Sequence, residues 1–233
     1  KNGFALMSAR QERPQDSIFA GESWSQLIGF LEKLPRPVKL VVWADEDGGR
    51  FEKEALHLAR SLAARFDALE FEHRDRVPNH YHYPVIGFMG LEEEEAEVDF
   101  RVRMIGLPAG YQINSLVGAI QAVSFRASNL EGITRIKLSK LPAEMRVDLE
   151  VFTAAENEAG ALVATLAAGL AVASPQVRAF VVMADVFPDV AMRYSVRNLP
   201  HTVINGRVHA EGALDEVGIL RQIAIAVRQD NRA

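Results

Sequence analysis

Val196-Arg197-Asn198-Leu199-Pro200-His201-Thr202-Val203-Ile204-Asn205-Gly206 is an apolar run interrupted by one proline, restarted, and closed by Asn-Gly. The pattern predicts a strand headed by Pro200 and ended by a hairpin turn, because Asn-Gly supplies the positive φ angles that a two-residue hairpin needs. A proline is tolerated at the head of a short strand, where the ladder does not need its missing N–H. A cis bond is the special geometry such a position favours. The same device occurs upstream in Tyr83-Pro84-Val85-Ile86-Gly87-Phe88-Met89-Gly90, with six steps from proline to glycine in both copies.

Around these two stretches, helical and strand periodicities alternate. Trp24, Leu27, Ile28, Leu31 and Leu34 fall at helical spacing, and Pro35 and Pro37 stop that helix. Val38–Trp43 reads as a buried strand, followed by the acidic turn Ala44-Asp45-Glu46-Asp47-Gly48-Gly49. Phe51, Ala55, Leu56, Ala59, Leu62, Ala63 and Phe66 give a helix with one apolar face. Leu69–His73 and Val85–Met89 read as the next strands. Arg101-Val102-Arg103-Met104 alternates as an edge strand should, and Gly106–Ser124 closes the unit as a helix.

The second half repeats the first. Lys33-Leu34-Pro35 returns as Lys140-Leu141-Pro142, Val38–Trp43 as Val147–Phe152, Pro84 with Gly90 as Pro200 with Gly206, and Gly106 as Gly212. The offsets of 107, 109, 116 and 106 residues amount to one domain-length period, well beyond the roughly 20 to 50 residues of a solenoid unit. Two domains are therefore expected, over residues 24–127 and 128–233, after an aperiodic arm or linker over residues 1–23. The boundary falls near Ala127-Ser128, with Ser128 or Asn129 capping a helix that runs through Leu138.

Composition narrows the function classes. The 233 residues are 48% hydrophobic and 24% charged, which is ordinary globular material. A net charge of -5 argues against nucleic acid or an anionic membrane held by bulk electrostatics. No uncharged apolar run approaches the ~20 residues of a membrane span, so membrane insertion is not expected and a cytoplasmic location is. Residue 1 is Lys rather than Met, which leaves room for a longer native chain. The chain contains no cysteine, and that excludes disulfides, thiolate metal sites and thiol chemistry of its own.

A strand-helix-strand unit followed by a hairpin and a helix is the thioredoxin arrangement, with a cis-proline at the head of the hairpin. Two such units, with Gly106-Leu107-Pro108-Ala109-Gly110-Tyr111 before the last helix of the first, resemble the glutaredoxin-like protein disulfide oxidoreductases of archaea and bacteria. They resemble equally the N-terminal domain of the flavoprotein component of alkyl hydroperoxide reductase. The resemblance spans Trp24 to Val227 and rests on that turn, on Leu199-Pro200 and on Val203-Ile204-Asn205-Gly206. It implies an α/β fold of two tandem thioredoxin-like domains, each a central mixed sheet flanked by helices, with proline-headed β-hairpins. It also implies a Cys-x-x-Cys at the start of the first long helix of the second half, at the positions held here by Asn157 and Gly160. Dithiol exchange needs one thiolate to attack and a second thiol to resolve the mixed disulfide, and Asn and Gly supply neither. The first half offers only Asp45-Glu46-Asp47-Gly48 at the matching place, so both sites read as inactive in dithiol exchange. No catalytic residue, cofactor or metal is expected.

Other features have plainer readings. Glu156, Asn157 and Glu158 sit at a helix start, where negative charge and a side-chain cap are favourable for structural reasons alone. The resemblance puts His201 beside them, so a Glu158/His201 pair for acid-base work or metal holding is the alternative. His80 and His82 would share one strand face, yet two ligands without a third group do not define a metal site. Glu92–Glu95 reads as a solvated loop. The helix Ala159–Ala173 has no charged residue on any face. It is expected to lie between the two halves; alternatively its small residues leave an apolar patch for a partner or a second copy. The function expected is protein binding by a redox-inactive chain, as an accessory or scaffolding subunit of a larger complex. The surface would comprise Glu156, Asn157, Glu158, Ala159, Gly160, Leu199, Pro200 and His201. The alternatives are a component of disulfide or peroxide reduction that takes its thiols from another chain, and a non-thiol enzyme.

Overall fold

Strand-forming runs and apolar-faced helices alternate along the chain, and the computed structural model describes them over residues 24, 27–77, 82–92, 96–126 and 130–230. The elements are α1 (Ile28–Leu31), β1 (Val38–Trp43), α2 (Arg50–Arg65), β2 (Leu69–Arg74), β3 (Val85–Leu91), β4 (Glu97–Ile105) and α3 (Gln112–Phe125). There follow α4 (Gly132–Leu138), β5 (Val147–Thr153), α5 (Glu158–Ala173), β6 (Val177–Met183), α6 (Pro188–Arg193), β7 (His201–Ile204), β8 (Val208–Glu211) and α7 (Glu216–Asp230). The N-terminal arm, the Ala127-Ser128 boundary, the Ser128 and Asn129 caps, His80 and Glu93–Glu95 lie outside the described residues.

All eight strands form a single mixed sheet in the order β2-β1-β3-β4-β6-β5-β7-β8. Within each group of four the connectivity is the same: a parallel βαβ pair, then an antiparallel hairpin on the side of the earlier strand. The Tyr83-Pro84 and Leu199-Pro200 bonds are cis, and each proline immediately precedes the first strand of its hairpin. Asn205 and Gly206 turn the second hairpin with φ of 51° and 65°, the left-handed pair that Asn-Gly accommodates. The groups meet where β4 pairs in parallel with β6, Val102–Ile105 against Ala179–Val182.

One face of the sheet carries α2, α3, α5 and α7 over a shared core that includes Leu40, Phe88, Met104, Leu149, Val181 and Ile204. The opposite face carries α6 over Phe152, Val182 and Val203, and, further along, Lys39, Arg74 and Arg103 paired with Glu72, Glu97 and Asp99. Helix α5, uncharged after Glu158, packs along α3, with most of it buried and Leu162 70% exposed.

Three sequence expectations are corrected, and one element is added. β4 is not an edge strand: its alternation arises because Val102 and Met104 face the helices while Arg103 faces the other side, and β6 pairs with it. α3 begins at Gln112 rather than Gly106, since Gly106 and Gly110 have φ of 102° and 54° and form a turn. α4 begins at Gly132 after Glu131, whose N–H is taken by the Glu216 carboxylate. α6, opened by Pro188 in its first turn, was not anticipated. Among the described residues no helix is long and apolar enough to cross a membrane.

Candidate functional site

β1 and β5 run in the same direction, so the loops that follow them open on one rim of the sheet, beside the prolines that head β3 and β7. The loop after β5 is where the resemblance places two cysteines. Asn157 is the N-cap of α5: its Oδ1 accepts the Gly160 N–H at 2.5 Å. Gly160 is buried hard against β5. A Cβ at this position would overlap Thr153 Oγ1 and lie 2.8 Å from both Thr153 Cβ and Asn157 Oδ1, so a cysteine does not fit unless Thr153 moves.

The loop is pinned from α3. Gln112 is fully buried, and its Nε2 reaches Thr153 Oγ1 at 2.9 Å and the carbonyls of Ala154 and Asn157 at 3.0 Å each. Ser115 Oγ donates to the Gln112 carbonyl at 2.7 Å and lies 3.2 Å from Gln112 Oε1. The Tyr111 N–H donates to Ala155 O at 2.9 Å, and the Ala155 N–H donates to Asp185 Oδ2 at 3.0 Å. Gly110 fits here because a Cβ would stand 2.5 Å from Ala155 O. The Gly106–Tyr111 turn therefore braces this loop directly. Sequence reasoning singled out the turn but missed Gln112, Thr153 and Asp185, none of which carries a local signal.

His201 does not join the head of α5. Successive residues in a strand face opposite sides, and here Thr202, opposite Val151, faces the α5 side while His201, opposite Phe152, faces away. The His201 ring is 3% exposed, with Nε2 2.9 Å from His209 Nδ1 on β8. Burial, and then the neighbouring His209, lower its pKa from the ordinary value, against a smaller upward pull from Glu211. Glu158 and His201 thus lie on different faces, and the acid-base pair is not assembled. Of the eight residues expected to form a surface, Glu156 and Glu158 are exposed, Asn157, Ala159 and Leu199 are half-buried, and Gly160, Pro200 and His201 are buried. On the His201 side of the sheet, Tyr194 Oη donates to Glu150 Oε1 at 2.6 Å. Burial there raises the Glu150 pKa and, with the Glu150 hydrogen bond, pushes Tyr194 up to about 12.

The first-half loop is held by a different device. Glu52, 4% exposed, accepts the N–H groups of Asp45 at 2.7 Å and Gly49 at 3.2 Å, and both of its oxygens are bound by the Arg76 guanidinium. Burial is the largest single influence and pushes its pKa up, but Arg76 and the two amides together hold the carboxyl below its ordinary value. Asp45, Glu46 and Asp47 are exposed around it. His82 Nε2 lies 2.9 Å from Asp189 Oδ2 and its ring meets Phe187 edge-on at 4.8 Å, which ties the segment before Pro84 to α6. Among the described residues no group of three or more histidine or acidic side chains could hold a metal ion.

No protein-family profile matches the sequence, and no curated protein does. Solved structures do match. The NTD_N/C domain of the alkylhydroperoxide reductase AhpF from Enterococcus faecalis is similar with a TM-score of 0.76 at 20% identity, covering 84% of this chain and 95% of that one. The protein disulfide oxidoreductase from Aeropyrum pernix K1 is similar with a TM-score of 0.71 at 23% identity, over 84% and 89%. With its two cis-proline hairpins and its mixed sheet flanked by helices, the chain has a thioredoxin-like fold that carries no cysteine.

Proposed function

We propose that the chain consists of two thioredoxin-like domains, over residues 24–127 and 128–233 after an arm over residues 1–23, and that it binds other proteins without redox chemistry. It acts as an accessory or scaffolding component through the rim where the resembling enzymes carry a dithiol. The reading is carried by the head of α5: a loop braced by Gln112 and Tyr111 that presents Glu156, Asn157 and Glu158 and has no sulfur. A rigid, partly exposed platform with no nucleophile supports recognition rather than group transfer.

The test has two arms. Immobilised wild-type chain should recover from its native source a protein that a Glu156→Lys, Glu158→Lys, Leu199→Asp variant does not, while a control changed at Arg228, in the last turn of α7, still does. Equal recovery by the rim variant overturns the binding reading. Insulin reduction by the purified chain alone should be absent, and measurable turnover overturns the redox-inactive reading.

A further inference from the structure

The parallel pairing of β4 with β6 is a head-to-tail joint: the last strand of one four-strand group meets the outer strand of the next. A joint of this type does not close on itself, and its two counterparts end the sheet with no further strand beside them among the described residues, β8 at one end and β2 at the other. The registers can be carried across. Gly106 N–H bonds Pro84 O and Gly212 N–H bonds Pro200 O, each at 2.8 Å, so β8 Val208–Glu211 corresponds to β4 Val102–Ile105. In the same way β2 Phe71–Arg74 corresponds to β6 Ala179–Val182 through their pairings with β1 and β5. A second copy docked in that register would set His209 beside Glu72 and Glu211 beside Arg74. The strands alone would accept it.

The helices above them would not. Inside the chain, α3 and α5 close over the joint because Gly118 leaves room: a Cβ there would stand 2.7 Å from Thr165 Cγ2. α2 and α5 are both 16 residues long and begin at equivalent caps, so the counterpart of Thr165 is His57, and that of Gly118 on α7 is Ala224. The uncharged neighbours Ala161 and Ala168 on α5 correspond to Lys53 and Arg60 on α2. On α7, Arg221 and Arg228 stand where α3 has Ser115 and Ala122. Lys53, His57, Arg60, Arg221, Ala224 and Arg228 are all exposed. Arg60 also reaches Glu46 at 3.3 Å, and Arg228 Nε folds back on Ala224 O at 3.0 Å.

We infer that His57 and Ala224, with these four cationic side chains, form a guard that prevents a second copy from docking head-to-tail and the sheet from running on into a fibre. Bulk blocks the close helix approach that the joint requires, and like charge on both sides opposes the encounter.

The experiment restores the internal joint at each end of the full chain. One variant carries Lys53→Ala, His57→Thr and Arg60→Ala, and a second carries Arg221→Ser, Ala224→Gly and Arg228→Ala. Sedimentation velocity of the chain carrying all six should show a ladder of sizes growing with concentration, while the wild type and each half-variant show none. An equimolar mixture of the two half-variants should give one new species with a single copy of each, because only one end of each is open. Since the chain has no cysteine, adding Glu72→Cys to the first half-variant and His209→Cys to the second should trap that species as a disulfide under oxidising conditions. The mixture carries the test even if the six-fold variant fails to fold. A mixture that sediments as its separate components, or a wild type that itself forms the ladder, overturns the inference.

Discussion

Replacing Gly160 by alanine tests whether the head of α5 is as tightly built as its geometry requires. The added methyl would overlap Thr153 Oγ1, which the Gln112 amide holds in place at 2.9 Å. Overpacking of this kind costs about 1–3 kcal/mol. Turning the Thr153 side chain relieves only part of it, since Thr153 Cβ itself stands 2.8 Å from the added methyl, and gives up in addition the hydrogen bond from Gln112, about 1 kcal/mol. Alanine recovers about 1 kcal/mol of helix propensity over glycine, leaving a net loss of about 1–3 kcal/mol. At roughly 2–4 °C per kcal/mol for a chain of this size, the melting temperature should fall by about 2–12 °C. Thermal and urea unfolding followed by circular dichroism would measure it. On a Thr153→Ala background the hydroxyl is gone, so the same Gly160→Ala change should cost at least about 1 kcal/mol less, a coupling expected only of side chains in contact. A Gly160→Ala variant as stable as the wild type, or strictly additive costs in the double variant, would refute the argument.

Gln112→Leu removes three hydrogen bonds, while the Ala154 and Asn157 carbonyls keep the N–H groups of Asn157 and Ala161, so a loss of about 1–3 kcal/mol is expected. Amide exchange over residues 154–157 should accelerate with it, and unchanged exchange there would mean that the loop is held by other contacts. Glu52 has a lowered pKa in the folded chain, so its contribution is present above the ordinary carboxylate value of 4.5 and is lost as pH falls through the folded value. The acid limb of the stability profile should therefore be shallower in Glu52→Gln, which is also less stable at neutral pH because Arg76 loses its charged partner. His201 has the opposite chemistry: its lowered pKa favours the neutral ring in the folded state, so the unfolded chain binds the proton first as pH falls through 6.5. Stability should drop between about pH 7 and 5, and His201→Phe should flatten that drop. An unchanged slope in the variant would show that other histidines set it.

Most of the elements were legible because their residues carry the period of what they form. Val38–Trp43, the α2 stripe and the Pro200-to-Gly206 hairpin each announce themselves locally. The joint between the groups was not legible. Alternation in β4 reports which side chains face the helices and is silent about what pairs with the strand's edge, so an interior strand with one charged face reads as an outer one. His201 failed for a related reason: its nearness to Pro200 in sequence says nothing of the face it takes until the pairing with Phe152 is known. Asn157 is legible as a cap because capping is a local interaction. Gln112, forty-one residues from Thr153, had no such local signature.

The uninterrupted sheet has a mechanical corollary. Two lobes on a tether would sample many separations, and anything gripping both would first have to freeze that motion. Here eight strands share one hydrogen-bonded ladder, so the Asp45–Gly48 and Ala154–Asn157 loops are set at a constant spacing, like the jaws of a locked caliper. A molecule whose own contact points match that gauge meets both without first having to freeze a motion between lobes, and one that is a few ångströms out can engage only one of them.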